Sequence, residues 1–266
     1  MNTRVASDFE VIPFNPVTRD IEPLENNILP NKGTKFAVDS DITLEQDGAT
    51  IECTIAPQDT PEKFSNSIKN ALESILYYTN YKYSTLASYQ FKGLKGAQAE
   101  LGCSPSVSAW TGTPRRAIAL TNNPYFRTAG GHLHIDISEE FKGDDDAHYN
   151  EVIRIAKNLD LFLGLPSLLL DPDESRRKLY GFSGDIRIKE YGLEYRTLSN
   201  FWIFNPILRK YVYNQVQEAI KFNQEISTDV PRSIDTGNHD KARDILDSFN
   251  LLDEVDSINY YLRGEQ

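Results

Sequence analysis

Hydrophobic and polar positions alternate over residues 4–14, with Val5, Phe9 and Val11 on one side and Asp8, Glu10 and Ile12 on the other. Successive side chains of a strand point to opposite faces, so this alternation predicts a half-buried strand. Pro13, Asn15 and Pro16 end it, and a loop rich in Pro and Asn runs to about Lys35. Two more strands are predicted over 36–45 and 49–56, joined at Gln46-Asp47-Gly48, because Asp-Gly between apolar alternations signals a hairpin. On the second of them Ile51, Cys53 and Ile55 share one face and Thr50, Glu52 and Thr54 the other.

The period then changes. Thr60-Pro61-Glu62 reads as a helix start, and Phe64, Ile68, Ala71, Leu72, Ile75 and Leu76 recur at helical spacing, predicting a helix that ends near Tyr83. Residues 99–108 and the turn Trp110-Thr111-Gly112-Thr113-Pro114 follow neither period. A strand is predicted over 128–137, TAGGHLHIDI, and a helix over 147–163 that stops at Gly164-Leu165-Pro166. Alternation returns across 185–198, broken at Gly192. A helix over 204–222 is capped by Asn205 with Pro206 in its first turn, 226–238 reads as a linker, and 240–262 as one acidic amphipathic helix. Hairpins and single strands separated by long helices predict an α+β fold, an antiparallel sheet with helices on one side.

A chain of 266 residues, 39% hydrophobic and 25% charged, suits one large domain or two small ones. The net charge of −11 argues against a general nucleic-acid binder or a protein drawn to an anionic membrane. Two cysteines, Cys53 and Cys103, give no disulfide framework, and the start MNTRVASDFE has no apolar leader. A cytoplasmic setting is the expectation.

The candidate chemistry gathers in 179–202, LYGFSGDIRIKEYGLEYRTLSNFW. Arg187 and Lys189 share one strand face, as do Glu194 and Arg196, with Arg176 and Arg177 just upstream. Charged side chains are costly in a partly buried strand unless they are paired or coordinated, so the pattern points to a site for an anion and a metal. His132 and His134 share a face behind Gly130-Gly131, placed as metal ligands or as donors to phosphate. Glu10, Glu52, His132 and Glu194 each stand on a separate strand opposite its apolar residues, a donor set suited to Mg²⁺ or Mn²⁺.

Taken together, AELGCSPSVSAWTG, RTAGGHLHI and RRKLYGFSGDIRIKEYGLEYRTLSNFW resemble the phage-encoded carboxylate–amine ligases, type-2 group, of the glutamine synthetase and glutamate–cysteine ligase superfamily. The resemblance implies a single glutamine-synthetase-like domain over 1–266 with a helical extension from about 238, acids on the concave face of a curved antiparallel sheet and helices on the convex side. It implies ATP, two or more divalent ions and an acyl-phosphate route to an amide, joining small-molecule or peptide carboxylates and amines; the sequence leaves open whether the protein is an oligomer. Carried over, Glu10, Glu52, His132 and Glu194 are metal ligands, and His134, Arg187 and Lys189 lie toward ATP phosphate. Arg196 and Arg187 hold the acyl phosphate. The family's usual Pro between the first-strand acids is Phe9 here, and only one acid of the hairpin strand is placed, which leaves the number of ions open. The loops around Trp110 and 226–238 are expected to cover the site. A phosphagen-type kinase and a non-catalytic ligand-binding relative are the alternatives.

Overall fold

The computed structural model describes residues 3–100, 105–115, 123–138 and 145–264. Cys103, Arg116 and residues 101–104 of the irregular stretch fall outside these. The strands are β1 (Val5–Asn15), β2 (Asp20–Ile21), β3 (Phe36–Ala37), β4 (Ile42–Asp47), β5 (Thr50–Gln58), β6 (Lys82–Ser84), β7 (Ser88–Gln90), β8 (Ser106–Ser108), β9 (Pro114–Arg115), β10 (Phe126–Thr128), β11 (Gly131–Asp136), β12 (Asp185–Lys189) and β13 (Gly192–Tyr195). The helices are α1 (Pro61–Thr79), α2 (Asp145–Leu159), α3 (Leu165–Leu170), α4 (Pro206–Lys221), α5 (Asp229–Thr236), α6 (His239–Ser248) and α7 (Leu252–Gly264).

The main sheet runs β3-β4-β5-β1-β11-β13-β12-β8-β9, every neighbouring pair antiparallel, and it is open. One face carries Val5, Phe9, Val11, Ile51, Cys53, Ile55, Leu133, Ile135, Leu193 and Tyr195, nearly all fully buried. Helices α1 and α2 pack on this face, α1 against β5 and β4 and α2 against β13 and β12, with α4 lying on both helices. Alternation requires the intervening side chains to emerge on the opposite face, and those are the charged ones. Phe64 of α1 stacks on Trp202 (5.8 Å between centroids, planes 7° apart) and meets Tyr213 of α4, tying helices to sheet.

Several boundaries differ from the sequence expectations. The 36–45 strand is two strands, because the Asp39 carboxylate accepts from the backbone N–H groups of Asp41 and Ile42 and turns the chain. The β4–β5 turn falls at Gly48-Ala49, with Gly48 at φ +55 and a Cβ there only 2.5 Å from the Glu100 carbonyl. Helix α1 stops at Asn80 in the left-handed region, freeing Lys82–Ser84 to pair with β1.

The predicted stop at Gly164-Leu165-Pro166 is no stop. The helix runs on through a π turn over Asp160–Gly164 into α3, with the Leu165 N–H reaching back to the Asp160 carbonyl and Pro166 following it. Gly164 is required there by contact, since a Cβ would lie 2.7 Å from Ile234 Cδ1 and 3.1 Å from Tyr195 Oη.

The linker over 226–238 is helix α5, with Val230 and Ile234 fully buried and Pro231 near its start. The expected helix over 240–262 is two, α6 and α7, broken at Asn250 (φ +57), and both pack on α3. Among the described residues no helix is long and apolar enough to cross a membrane.

Candidate metal and phosphate centre

Register decides which charged side chains meet. Across β1 and β11, Asp8 pairs with His132; across β11 and β13, His134 pairs with Glu194; across β12 and β13, Arg187 pairs with Glu194. On the other side of β1, Glu10 pairs with Glu52, which pairs in turn with Glu45. The two glycines before His132 have separate steric duties. A Cβ on Gly130 would lie 3.0 Å or less from atoms of the His132 ring, and one on Gly131 would lie 2.5 Å from Trp202 Nε1. Asn200 supports the same place from below, donating to the Glu10 carbonyl at 2.9 Å.

The four expected metal ligands fall in two adjoining groups, each with ligand atoms within 4.8 Å of one another: Asp8 with His132 and Glu194, and Glu10 with Asp47 and Glu52; the Asp8 charge of the first acts on Glu52 of the second. Asp8 and Asp47 complete the groups, and sequence reading placed neither as a ligand. Asp8 lay on the correct face two residues from Glu10, while Asp47 read as a turn former at the hairpin tip.

The first group is flanked by cations. Arg187 Nη1 lies 3.0 Å and Lys189 Nζ 3.1 Å from Glu194 carboxylate oxygens, and Arg196 Nη1 bonds Glu194 Oε1 as well. Burial and the Asp8 charge push the Glu194 carboxyl up, but Arg196, His132 and Arg187 outweigh them and hold it at about 2. His132 Nδ1 lies 3.2 Å from Asp8 Oδ1; burial, then Arg196, lowers this imidazole to about 4, so it is neutral at pH 7. Burial works to raise Asp8, yet the hydrogen bond with His132 and contacts with His134 bring it well below the usual range. His134 Nε2 lies 3.2 Å from Asp8 Oδ1, and its Nδ1 meets the Tyr191 hydroxyl.

The second group is short of positive charge. Burial, then the Asp47 charge, raises the Glu10 carboxyl to about 7. Burial, followed by Asp8, puts Glu52 well above the usual range. Lys32 Nζ is the cation beside them, 2.9 Å from Glu52 Oε2 and bonded to Asp47 Oδ2. Three carboxylates, or an imidazole with two carboxylates, are donor sets that a hard divalent ion accepts.

Between the groups and the loops lies a cleft, lined by Glu10, Asp47, His132 and Asp185 on the sheet and by Arg176, Tyr180 and Arg196 beside it. Arg176 is 5% exposed and donates to the carbonyls of Thr197 and Arg196, so it braces the strand that carries Glu194 and Arg196. Asp185 is 8% exposed and its Oδ1 has no hydrogen-bond partner among the described residues. The expected covers lie elsewhere. Trp110 Nε1 donates to Asp160 Oδ2 at 2.6 Å, and α5 packs on α3 and the π turn, so both are anchored in the helix layer.

Residues 121–235 match the family described as phage phiEco32-like COOH.NH2 ligase-type 2. The matched stretch carries His132, His134, Arg187, Lys189, Glu194 and Arg196, and it is less than half of the chain. The likeness supports, at the level of reaction class, a ligase that joins a carboxylate to an amine. Asp8, Glu10, Asp47 and Glu52 lie outside it and join the site through sheet register alone. No curated protein matches the chain.

Proposed function

We propose that the protein is an ATP-dependent carboxylate–amine ligase that works through an acyl phosphate. The observation that carries the reading is the row of side chains on one sheet face: two adjoining groups of hard-ion donors, and three cations converging on Glu194 at the edge of the first. Asp8, His132 and Glu194 would hold a divalent ion, and Glu10, Asp47 and Glu52 offer a second set of the same donor type. An ion held there would supply positive charge to offset that of the phosphoryl group in transfer.

The residues themselves do the remaining work. Arg187, Lys189 and Arg196 are held on Glu194 until phosphate oxygens of ATP compete for them, so the anion-binding surface is preorganised in the free protein. Arg196 and Arg187 then grip the phosphoryl group as it passes to the substrate carboxylate, with a planar fork that a lysine does not copy. His132 is neutral, so its ring nitrogen beside Asp8 and Glu194 is available to an ion, and His134 stands beside it toward phosphate. Asp185, buried at the cleft without a partner for Oδ1, is the acceptor available to the incoming amine.

The test supplies a pool of carboxylic acids labelled with ¹⁸O, ATP, Mg²⁺ and hydroxylamine as the amine. An acyl-phosphate ligase yields hydroxamate, ADP and phosphate carrying one label. Label in AMP, or a stable phosphorylated product without hydroxamate, overturns the reading.

A further inference from the structure

Lys32 lies in the loop rich in Pro and Asn, on no periodic element, yet its ammonium is placed within the second group of acids. It touches Asp47 and Glu52, whose side chains are only 10% and 8% exposed, and Glu10 on the next strand acts on it electrostatically. Glu10 has its own partner, the Gly130 N–H at 2.9 Å. Every acid of the group is therefore engaged by the chain itself.

The backbone around Lys32 is fastened to β4 on both sides. The Pro30 carbonyl accepts from Gln46 N at 2.8 Å, Asn31 bridges to Gln46, and Gly33 N donates to Glu45 Oε2 at 2.8 Å. Glu45 is itself buried, so that last bond is a strong charge-assisted tie. A side chain that only visited the site would not need its backbone fixed at residues 30, 31 and 33.

We propose that Lys32 is the resident cation of the Glu10–Asp47–Glu52 group, taking the place there that a second metal ion would otherwise hold. An ammonium is not a ligand, and a divalent ion centred on the same carboxylates would meet it at close range in a partly buried setting, where like charges repel strongly. The two cations exclude each other, and the one on the covalent chain has no dissociation to undergo. In the Asp8–His132–Glu194 group the Arg and Lys contacts fall on Glu194, while Asp8 meets the two histidines, and this is the group left to an ion. The proposal deepens the ligase reading, but the metal count does not rest on it, because it is taken without nucleotide.

The experiment titrates Mn²⁺ into the nucleotide-free full chain and counts bound ions by electron paramagnetic resonance. Lys32→Met should bind one Mn²⁺ more than the parent, its affinity at the new site about 10–100-fold tighter than the parent shows there, the range one group beside a metal commonly commands. Lys32→Arg, which keeps the charge, should gain none. Adding Asp47→Asn to Lys32→Met should remove the gain and so locate it. Lys32→Gln is read in the same way if the Met variant does not fold. Equal counts in the parent and both uncharged variants, or a gain that survives Asp47→Asn, overturn the proposal. Failure of ATP to bind with a divalent ion would instead overturn the ligase reading and leave these counts standing.

Discussion

Arg187 and Glu194 face each other across the β12–β13 hairpin, with the guanidinium Nη1 3.0 Å from the carboxylate Oε1. Lys189 and Arg196 reach the same carboxylate, so one buried acid organises three cations. Its pKa, held at about 2 against an ordinary 4.5, makes the arrangement visible in stability. A depressed carboxyl contributes stability that is present above the unfolded value and lost as pH falls through the folded one. Urea unfolding of the native protein should weaken between about pH 4.5 and pH 2 by on the order of 3 kcal/mol from this group alone. Glu194→Gln should lack that part of the acid dependence. An identical acid profile in the variant would show that Glu194 is not the group holding the cations.

Asp160 titrates in the opposite sense. It is fully buried on the π turn, accepting from Tyr195 Oη at 2.7 Å and Trp110 Nε1 at 2.6 Å, and burial raises it to about 7 despite those donors. A raised carboxyl costs stability as pH climbs from the unfolded value to the folded one. Asp160→Asn should therefore flatten the stability curve between about pH 4 and pH 7, removing a decline on the order of 4 kcal/mol. Urea midpoints for the two proteins at pH 5 and pH 8 check this. A parallel fall in both would contradict it.

Much of this was legible in the sequence, because half-buried antiparallel strands write their faces into alternate residues. Phe9 and Val11 against Asp8 and Glu10, Ile51 and Cys53 against Glu52, and Leu133 and Ile135 against His132 and His134 all emerge on the sides that alternation predicts. What alternation does not encode is pairing. That Asp8 sits opposite His132, and Glu10 opposite Glu52, depends on long-range register, which sets which donors lie closest together. Lys32 and Asp47 carried no period at all, one in a loop and one at a turn. The helix through Gly164-Leu165-Pro166 was hidden for a different reason. Local stop signals were overridden by a π turn and by close packing against Ile234 and Tyr195.

Gly192 joins fold to site. It stands at φ +144, and a Cβ there would run into the Ile135 carbonyl of β11, inside any normal contact distance. Gly192→Ala should destabilise the protein by about 1–3 kcal/mol or more, through strain and overpacking together. Because β11 carries the histidines and β13 carries Glu194, Mn²⁺ affinity should fall in step. Differential scanning calorimetry with a metal titration would show both effects. A variant of native melting temperature would contradict the close approach of these strands.

Arg196, one residue past β13, contacts Glu194 and lies 3.4 Å from His132 Nδ1, and in the proposed ligase it holds the phosphoryl group. Arg196→Ala should lower kcat and kcat/KM together by about 10²–10³, the usual cost of one preorganised donor to a transition state. Steady-state rates of ADP release, measured with the acid pool and hydroxylamine, provide the comparison. Weaker ATP binding with kcat intact would reassign Arg196 to ground-state binding.

A ligase site on the polar face of the sheet requires nucleotide binding there that depends on a metal ion. Calorimetry of ATP binding, with Mn²⁺ and with a chelator in its place, measures it for the native protein and for Glu194→Gln. The expected result is binding by the native protein only with Mn²⁺, and loss of that binding in Glu194→Gln while the variant stays folded at pH 7. Equal affinity with and without the ion, or unchanged affinity in the variant, would contradict the assignment of this face as the ligase site.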